Sequence, residues 1–270
     1  MCELFALSSD KPANVTFSLG VFGERGGRFG PHKDGWGIAF KEERDFRVIK
    51  EAAPAAASAC LRFIEANEIR SEIVLSHLRL ASVPRVTSYT NTHPFSRELF
   101  GVCHVFAHNG NASGVLEDAR MAPTWNFPLG ETDSERAFCA LMDRLRSALA
   151  PREVLDLSRK LPIIQSWATE LARHGTANFL LSDSEYLYAH RSTNLFFAER
   201  RCLAMQESFG SASLRVSLSP VPDGARHASL IATQPLTLDE QWTELPLGEV
   251  VVFRQGRLFS DVRDQPLRAM

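Results

Sequence analysis

The chain of 270 residues is 44% hydrophobic and 23% charged, so it can bury a substantial core, and its formal net charge is only −2. That charge and the lack of a Lys/Arg-rich run argue against a nucleic-acid-binding surface, and no apolar stretch approaches the roughly 20 residues that span a bilayer. Because Glu3 and Asp10 interrupt the apolar start, the pattern of a signal peptide is missing. We therefore expect a cytoplasmic protein with neither nucleic acid nor a membrane as its partner.

Short apolar or alternating segments between turn residues predict β-strands along the whole chain. Several of the links between them are short, which favours antiparallel pairing, and the two segments around Asp183 and Ser184 are expected to form a hairpin. The predicted strands are residues 2–9, 35–40, 72–80, 103–110, 177–183, 185–191, 195–200, 227–234 and 248–256.

Helical periodicity occurs in three segments, residues 54–69, 132–150 and 163–175. Thr132 and Glu135 have the spacing of a capping box at the start of the second segment. Strands, then central helices, then strands again predict an α+β fold in which packed sheets are covered by helices. Because no repeat or interdomain linker is evident, residues 1–270 are expected to form a single domain.

The cysteines indicate neither a disulfide framework nor a zinc site, because they are odd in number and widely spaced. Cys2 differs from the others by its position. If Met1 is removed, Cys2 carries both a thiol and an α-amino group, and the pKa of that amine, about 7.7–8.0, suits it to accept the thiol proton. The alternative is a cysteine that merely begins a strand. The five cysteines are Cys2, Cys60, Cys103, Cys139 and Cys202.

Three further sites could have a role in catalysis or binding, but each also has an ordinary structural explanation. Arg79 lies near the end of a predicted strand, where it could clamp a substrate carboxylate or form an internal salt bridge. Asn109 and Gly110 would ordinarily form a turn, but an amide beside a glycine N–H also offers the two donors that a tetrahedral oxyanion requires. Asp133 could favour a helix start, with Thr132 as the cap, or bind a cationic amino group.

Metal and cofactor sites have little support in the sequence. His104 and His108 are four residues apart, but in a predicted strand without carboxylate or cysteine partners they are more typical of packed or hydrogen-bonded histidines. The glycine-rich segment 24–37 matches neither phosphate-binding signature and is expected to border an active site, with Trp36 either packed or lining the pocket. We therefore predict no metal and no cofactor.

Short motifs follow one another in a characteristic order: MC at the start, RGGRFGPHKDGWGIAF at 25–40, HLRLAS at 77–82, NTHPF at 91–95, HNG at 108–110 and ETDSE at 131–135. This set resembles the class II glutamine amidotransferases, members of the N-terminal nucleophile (Ntn) hydrolases. It is most similar to their short, stand-alone YafJ-like type, over essentially the whole chain. The resemblance implies a four-layer αββα sandwich of two antiparallel sheets, without a synthase domain.

The resemblance also implies roles for the matching residues. Cys2 would be the nucleophile that attacks the γ-amide of glutamine or of a γ-glutamyl compound, forming a γ-glutamyl thioester and releasing ammonia. The implied oxyanion hole is formed by Asn109 and Gly110. The implied substrate-binding residues are Arg79 and Ser82 for the α-carboxylate and Asp133 for the α-ammonium group. The implied supporting residues are Arg25, Trp36, His93 and His108.

Several alternatives remain for the substrate and the class of protein. Leu80 stands where many relatives have tryptophan, so a strict preference for free glutamine is not implied. Either a separate synthase subunit receives the ammonia, or the protein hydrolyses a γ-glutamyl peptide or conjugate without a partner. An acyl amidase of the same fold is disfavoured, because its substrates offer no zwitterion to Arg79 and Asp133. A non-catalytic amino-acid-binding protein is the alternative from another class.

Overall fold

The computed structural model describes residues 1–67, 69–81, 87–154, 156–202, 207–210, 215–218 and 226–259. Its four α-helices in these ranges are α1 (Thr16–Glu24), α2 (Ala59–Ala66), α3 (Asp133–Ala148) and α4 (Leu157–Leu171). Its strands are β1 (Glu3–Asn14), β2 (Trp36–Glu42), β3 (Asp45–Glu51), β4 (Arg70–Leu78), β5 (Phe95–Leu99), β6 (Val102–Asn111), β7 (Thr176–Ser182), β8 (Leu187–His190), β9 (Phe196–Cys202), β10 (Glu207–Gly210), β11 (Arg215–Leu218), β12 (Arg226–Ala232), β13 (Thr243–Glu244), β14 (Val250–Arg254) and β15 (Arg257–Leu258).

The strands form two large sheets, here called sheet A and sheet B, and β10 and β11 form a separate two-stranded antiparallel sheet. Sheet A has the order β13-β9-β12-β1-β4-β2-β3, and sheet B has the order β15-β14-β8-β7-β6-β5. Neighbouring strands within each sheet are antiparallel. Ser182 lies opposite Leu187 in β7 and β8, which confirms the predicted hairpin.

Alternation along the strands divides the apolar residues into three layers of core. In β1, Leu4 and Ala6 belong to the cluster between the two sheets, whereas Phe5 and Leu7 belong to the cluster that α1 and α2 cover. On the outer face of sheet B, the ring of Phe106 lies 5.1 Å from that of Phe138 in α3. The layers therefore follow the order helices, sheet A, sheet B, helices, and the predicted αββα sandwich is confirmed.

The structure departs from the predicted helices at α4, which begins at Leu157 rather than at residue 163. Pro162 lies inside this helix, although it lacks the N–H that would bond one turn back. The Asp156 side chain caps the start by accepting a hydrogen bond from the Ser158 N–H at 3.0 Å. No helix among the described ranges is long and apolar enough to cross a membrane.

A buried ion pair joins α4 to the β7–β8 hairpin. Lys160 and Asp183 are both fully buried and bonded to one another. Asp183 also accepts hydrogen bonds from the Tyr188 hydroxyl at 2.8 Å and from the Tyr186 N–H at 2.8 Å. Because both charges are removed from water, each depends on the other to offset its desolvation.

A Lys160→Ala variant is therefore expected to lower the free energy of unfolding by about 3–5 kcal/mol, because it leaves the Asp183 carboxylate buried and uncompensated. Urea unfolding followed by circular dichroism measures this loss. The control is Arg47→Ala, which breaks an exposed ion pair with Glu42 and should cost about 1 kcal/mol or less. Equal losses in the two variants would show that burial does not set the strength of the Lys160 pair.

Candidate active site

Cys2 precedes β1 at the edge of the layer between the two sheets. Even-numbered residues of β1 face that layer, so the Cys2 side chain is expected to face it too. Because Leu4 lies opposite His77 in β4, the same register places Cys2 opposite Arg79. The Cys2 Sγ donates to the Leu80 carbonyl oxygen at 3.5 Å and accepts from the Leu80 N–H at 3.4 Å. The thiol is therefore held against the chain that leaves β4.

The electrostatic surroundings keep the Cys2 thiol protonated. Burial raises its pKa, and the charge of Asp133 acts in the same direction, whereas the Leu80 N–H, the N-terminal ammonium and Arg79 lower it; the net shift is upward. Since the thiolate is the nucleophilic form, this cysteine needs a base. Among the described residues only the Leu80 backbone hydrogen-bonds to Sγ, so no described side chain fills that role.

Arg79 is buried, and no described residue gives it a carboxylate partner. Its Nη1 donates to the backbone oxygen of Asp34 at 3.2 Å, and no ion pair among the described residues includes it. The internal salt bridge that the sequence left open is therefore not formed within these residues. Asp34 Oδ2 accepts a hydrogen bond from the Ala81 N–H at 2.7 Å, so one loop fixes both the side chain of Arg79 and the backbone after it. Ser82 lies outside the described residues.

Asn109 and Gly110 lie inside β6 rather than in the turn that their residue types favour. A Cβ at Gly110 would lie 1.8 Å from the Thr176 oxygen of β7, so only glycine permits this approach of the two strands. Asn109 is buried, and its Oδ1 has no hydrogen-bond partner among the described residues. By alternation with Ala107, its side chain faces the layer that Cys2 borders.

Asn178 supports Asn109 from the neighbouring strand, a contact that the sequence did not indicate. The two asparagines are opposite one another in β6 and β7, and Asn178 Nδ2 donates to the Asn109 backbone oxygen at 3.2 Å. Asn178 Oδ1 in turn accepts from the N–H groups of Ser192 and Thr193, both at 2.9 Å. Sequence reasoning missed Asn178 because only strand register brings it to this position.

Asp133 begins α3, while Thr132 caps it by accepting from the Glu135 N–H at 3.1 Å, as predicted. Asp133 accepts hydrogen bonds from the Ala112 N–H at 2.7 Å and the Ser134 N–H at 2.8 Å. The first of these bonds connects the start of α3 to the chain leaving β6. Asp133 thereby lies close to the Asn109 end of β6, and its charge reaches the Cys2 thiol.

His108 faces the helix side of β6 and joins it to α3. Its Nε2 lies 3.1 Å from the Thr176 oxygen, which can only accept, so Nε2 carries the hydrogen and Nδ1 accepts from the Ser134 hydroxyl at 2.8 Å. Burial lowers the pKa of His108, which favours this neutral ring. No group of three or more metal-ligating residues suited to a metal ion occurs in the described ranges.

His93, from the NTHPF motif, packs against a second histidine that the sequence did not single out. Its ring centroid lies 4.2 Å from that of His77, and no ring nitrogen of either histidine has a hydrogen-bond partner among the described residues. His77 lies opposite Gly37 of β2. A Cβ at Gly37 would lie 2.2 Å from the backbone oxygen of His93. Gly37 therefore lets the motif lie directly on sheet A.

The loop before Asp133 is held by side chains from two directions. Asn91, also from the NTHPF motif, accepts from the Glu131 N–H at 2.8 Å. Glu135 accepts from the Gly130 N–H at 2.7 Å and pairs with Arg97 at 2.7 Å. The motifs NTHPF and ETDSE are thus in contact, which neither sequence spacing nor periodicity could reveal.

Arg25 and Trp36 occupy different surroundings. Arg25 forms an ion pair with Glu3 at 2.9 Å and donates to the Pro235 oxygen at 2.8 Å, so it lies beside the residue that follows Cys2. Trp36 is buried in the cluster that α1 and α2 cover and donates Nε1 to Glu51 at 2.9 Å. Its face of sheet A is the one turned away from sheet B, a position typical of a packing residue.

Comparison with known proteins gives one consistent family. The family model described as class-II glutamine amidotransferases matches residues 1–269. The chain is 38% identical over 262 residues to Escherichia coli (strain K12) YafJ, which carries a provisional glutamine amidotransferase name; the match covers 95% of this chain and 98% of YafJ.

Solved structures show the same fold. A predicted glutamine amidotransferase from Pseudomonas aeruginosa PA01 superposes with a TM-score of 0.71 at 34% identity, covering 96% of this chain and 100% of that one. Glutamine phosphoribosylpyrophosphate amidotransferase from B. subtilis superposes with a TM-score of 0.62 over 95% of this chain and 48% of its own length. At 14% identity the latter shows the shared fold alone.

Proposed function

This chain belongs to the class II glutamine amidotransferases, of the YafJ-like type, and we propose that it cleaves the γ-amide of glutamine or of a γ-glutamyl compound with Cys2 as the nucleophile. One observation carries the proposal: a half-buried thiol, to which no described side chain hydrogen-bonds, lies at the edge of a layer that also contains a buried arginine without a described carboxylate partner. Such a site suits an anionic substrate and a nucleophile activated by its own amine.

The proposed reaction uses the amine that removal of Met1 exposes on Cys2. The amine accepts the thiol proton while sulfur attacks the γ-carbonyl carbon, and the oxyanion accepts hydrogen bonds from Asn109 Nδ2 and the Gly110 N–H. The ammonium then returns the proton to the leaving nitrogen, and ammonia departs as the C–N bond breaks. Water attacks the γ-glutamyl thioester, which regenerates the thiol and releases glutamate.

Arg79 and Asp133 supply the proposed recognition of the substrate backbone. The guanidinium of Arg79 would bind the α-carboxylate, and Asp133 would accept hydrogen bonds from the α-ammonium group. Asp133 already receives two backbone N–H groups, which fix its carboxylate before the substrate arrives. A substrate lacking this zwitterion should therefore react poorly.

A Cys2-directed labelling experiment tests the proposal. We expect a γ-glutamyl electrophile that mimics glutamine to add once, at Cys2, in protein whose intact mass shows that Met1 is absent. Excess glutamine should slow the labelling, and Arg79→Ala should prevent it at the same reagent concentration. The half-buried Cys60 gives the control, since Cys60→Ala should label like the wild type. A folded, Met1-free protein whose Cys2 does not react would instead favour an amino-acid-binding protein.

The destination of the ammonia separates two forms of the proposal. Delivery to a separate synthase subunit predicts that a partner copurifies and stimulates glutamine cleavage. Outright hydrolysis of a γ-glutamyl peptide or conjugate predicts a higher rate on the conjugate than on glutamine without any partner. Comparing kcat/KM for the two substrates, with and without the copurifying proteins, distinguishes them.

An Asn109→Ala variant is expected to lower kcat by about 10²- to 10³-fold with a small change in KM, because an oxyanion donor acts mainly in the transition state. Ammonia release under saturating glutamine measures the effect. Asn111→Ala is the control: Asn111 is exposed at the end of the same strand, and its side-chain oxygen accepts from the Ser113 N–H. If both variants lose activity equally, disturbance of β6 rather than a lost donor explains the effect.

A further inference from the structure

His32 connects the glycine-rich segment to the peptide group that precedes Cys2. It is buried in the loop between α1 and β2. Its Nε2 lies 2.8 Å from the Met1 carbonyl oxygen, and its Nδ1 lies 3.3 Å from the Arg25 carbonyl oxygen. A carbonyl oxygen only accepts, so a neutral imidazole can satisfy one of these two contacts but not both.

Removal of Met1 changes what faces this ring. The Met1 carbonyl carbon is bonded directly to the nitrogen of Cys2, so its loss leaves the new α-amino group on the side of the ring that Nε2 faces. The Arg25 oxygen remains and can hold the hydrogen on Nδ1, which leaves the lone pair of Nε2 directed at the amine. His32 Nε2, which donates to the Met1 carbonyl in the precursor, thereby becomes an acceptor from the amine in the mature chain.

We infer that His32 is a positioning residue for the α-amino group of Cys2, an inference that rests on the proposed function. When the amine takes the proton from the thiol, the resulting ammonium donates one hydrogen to His32 Nε2 and retains another for the leaving nitrogen. His32 neither gains nor loses a proton in this step. It directs the amine toward Sγ and stabilises the charged form of the amine.

Other charged groups also act near the amine. Glu3 of β1 is paired with Arg25 after α1, while Asp34 follows His32 in the same loop. Arg79 at the end of β4 and Asp133 at the start of α3 act on the Cys2 thiol. All of them remain when only His32 is replaced, so a change in the pH dependence reports on His32 itself.

The test compares His32→Leu with His32→Gln, after intact mass has shown that both lack Met1. We expect the leucine variant to lose about 10-fold or more in kcat/KM for glutamine, the loss that corresponds to one hydrogen bond to a charged group. In the leucine variant, the acidic limb of the pH profile of kcat/KM should shift to lower pH by about one unit. The reason is that loss of the acceptor destabilises the ammonium and lowers the pKa of the amine. The glutamine variant keeps an acceptor oxygen and should stay within a few-fold of the wild type.

His104→Gln is the matched control for the loss of a buried imidazole, since the His104 ring hydrogen-bonds, among the described residues, to the Val102 backbone oxygen alone. It should leave the acidic limb in place. Should His32→Leu fail to fold in a thermal melt, His32→Met gives a second apolar replacement. An apolar variant that folds and keeps both the wild-type rate and the wild-type acidic limb overturns the inference. Failure of wild-type Cys2 to turn over or label would instead reject the proposed function.

Discussion

A Cys2→Ala variant is expected to lose hydrolysis of glutamine and of γ-glutamyl amides by about 10⁴-fold or more, because no covalent intermediate can form. The fold should survive, since Cys2 lies outside β1 and contributes only two long hydrogen bonds with the Leu80 backbone. Coupled detection of ammonia or glutamate measures the loss, and circular dichroism checks the fold.

Cys2→Ser makes the same experiment more informative. Serine, like alanine, is small enough to permit removal of Met1, so the amine is retained while the nucleophile is weakened. The half-buried Cys60 again supplies the control, because Cys60→Ser changes a thiol on the helix side of sheet A, away from the proposed site. Comparable ammonia release from wild type and Cys2→Ala would place the chemistry on another residue.

Local patterns predicted much of the fold because short apolar or alternating runs between turn residues are a local property. The segments around β1, β4, β6, β7 and β8 are such runs, and the short link at Asp183 sets the β7–β8 pairing. The order of the four layers came from the family resemblance, since packing of one sheet on another leaves no local signature. Elements such as α1 and β3 were missed, because α1 contains two glycines and β3 alternates weakly.

Two segments show how tertiary structure overrides a local rule. The predicted helix began at residue 163, but the buried face that includes Trp167 and Lys160 keeps the turn around Pro162 helical as well. Asn109-Gly110 has the composition of a turn, yet the close approach of β7 at Thr176 requires a glycine within a strand. In both cases the decisive contact lies far away in sequence.

The residues that support the candidate site could not be found from motifs alone. Asn178 acts through strand register, and His77 lies beside His93 only because β2, β4 and the NTHPF motif pack together. His32 lies within a recognised motif, but its significance comes from a contact with the peptide group before Cys2. Side chains that position other side chains carry no spacing signal of their own.

The buried histidines lead to a second large effect: the free energy of unfolding is expected to fall steeply as the pH drops below about 6.5. Burial, followed by the charges of His108 and Arg79, lowers the pKa of His77 to about 3, and burial likewise lowers that of His104 to about 4. Burial also holds the pKa of His93 well below its usual range. In the unfolded chain these histidines would titrate near 6.5.

The sign follows from where the protons bind. Below pH 6.5 these histidines are protonated in the unfolded state but stay neutral in the folded state. Each of the three therefore lowers the free energy of unfolding by about 1.4 kcal/mol per pH unit as the pH falls. Together they give about 4 kcal/mol per unit, which continues until the folded ring of His104 begins to protonate near pH 4. Against a typical domain stability of about 5–15 kcal/mol, this slope predicts unfolding between pH 4 and 5.

Urea unfolding at a series of pH values from 7.5 to 5 measures the slope directly, and a His77→Gln/His93→Gln variant identifies its source. We expect the slope of the variant to be smaller than that of the wild type by about 2.8 kcal/mol per pH unit, because His77 and His93 no longer titrate while the other buried histidines still do. The comparison uses slopes rather than absolute stabilities, so packing losses at pH 7.5 do not affect it. An unchanged slope would mean that groups other than the stacked pair take up the protons, and that the His77–His93 contact does not depend on neutral rings.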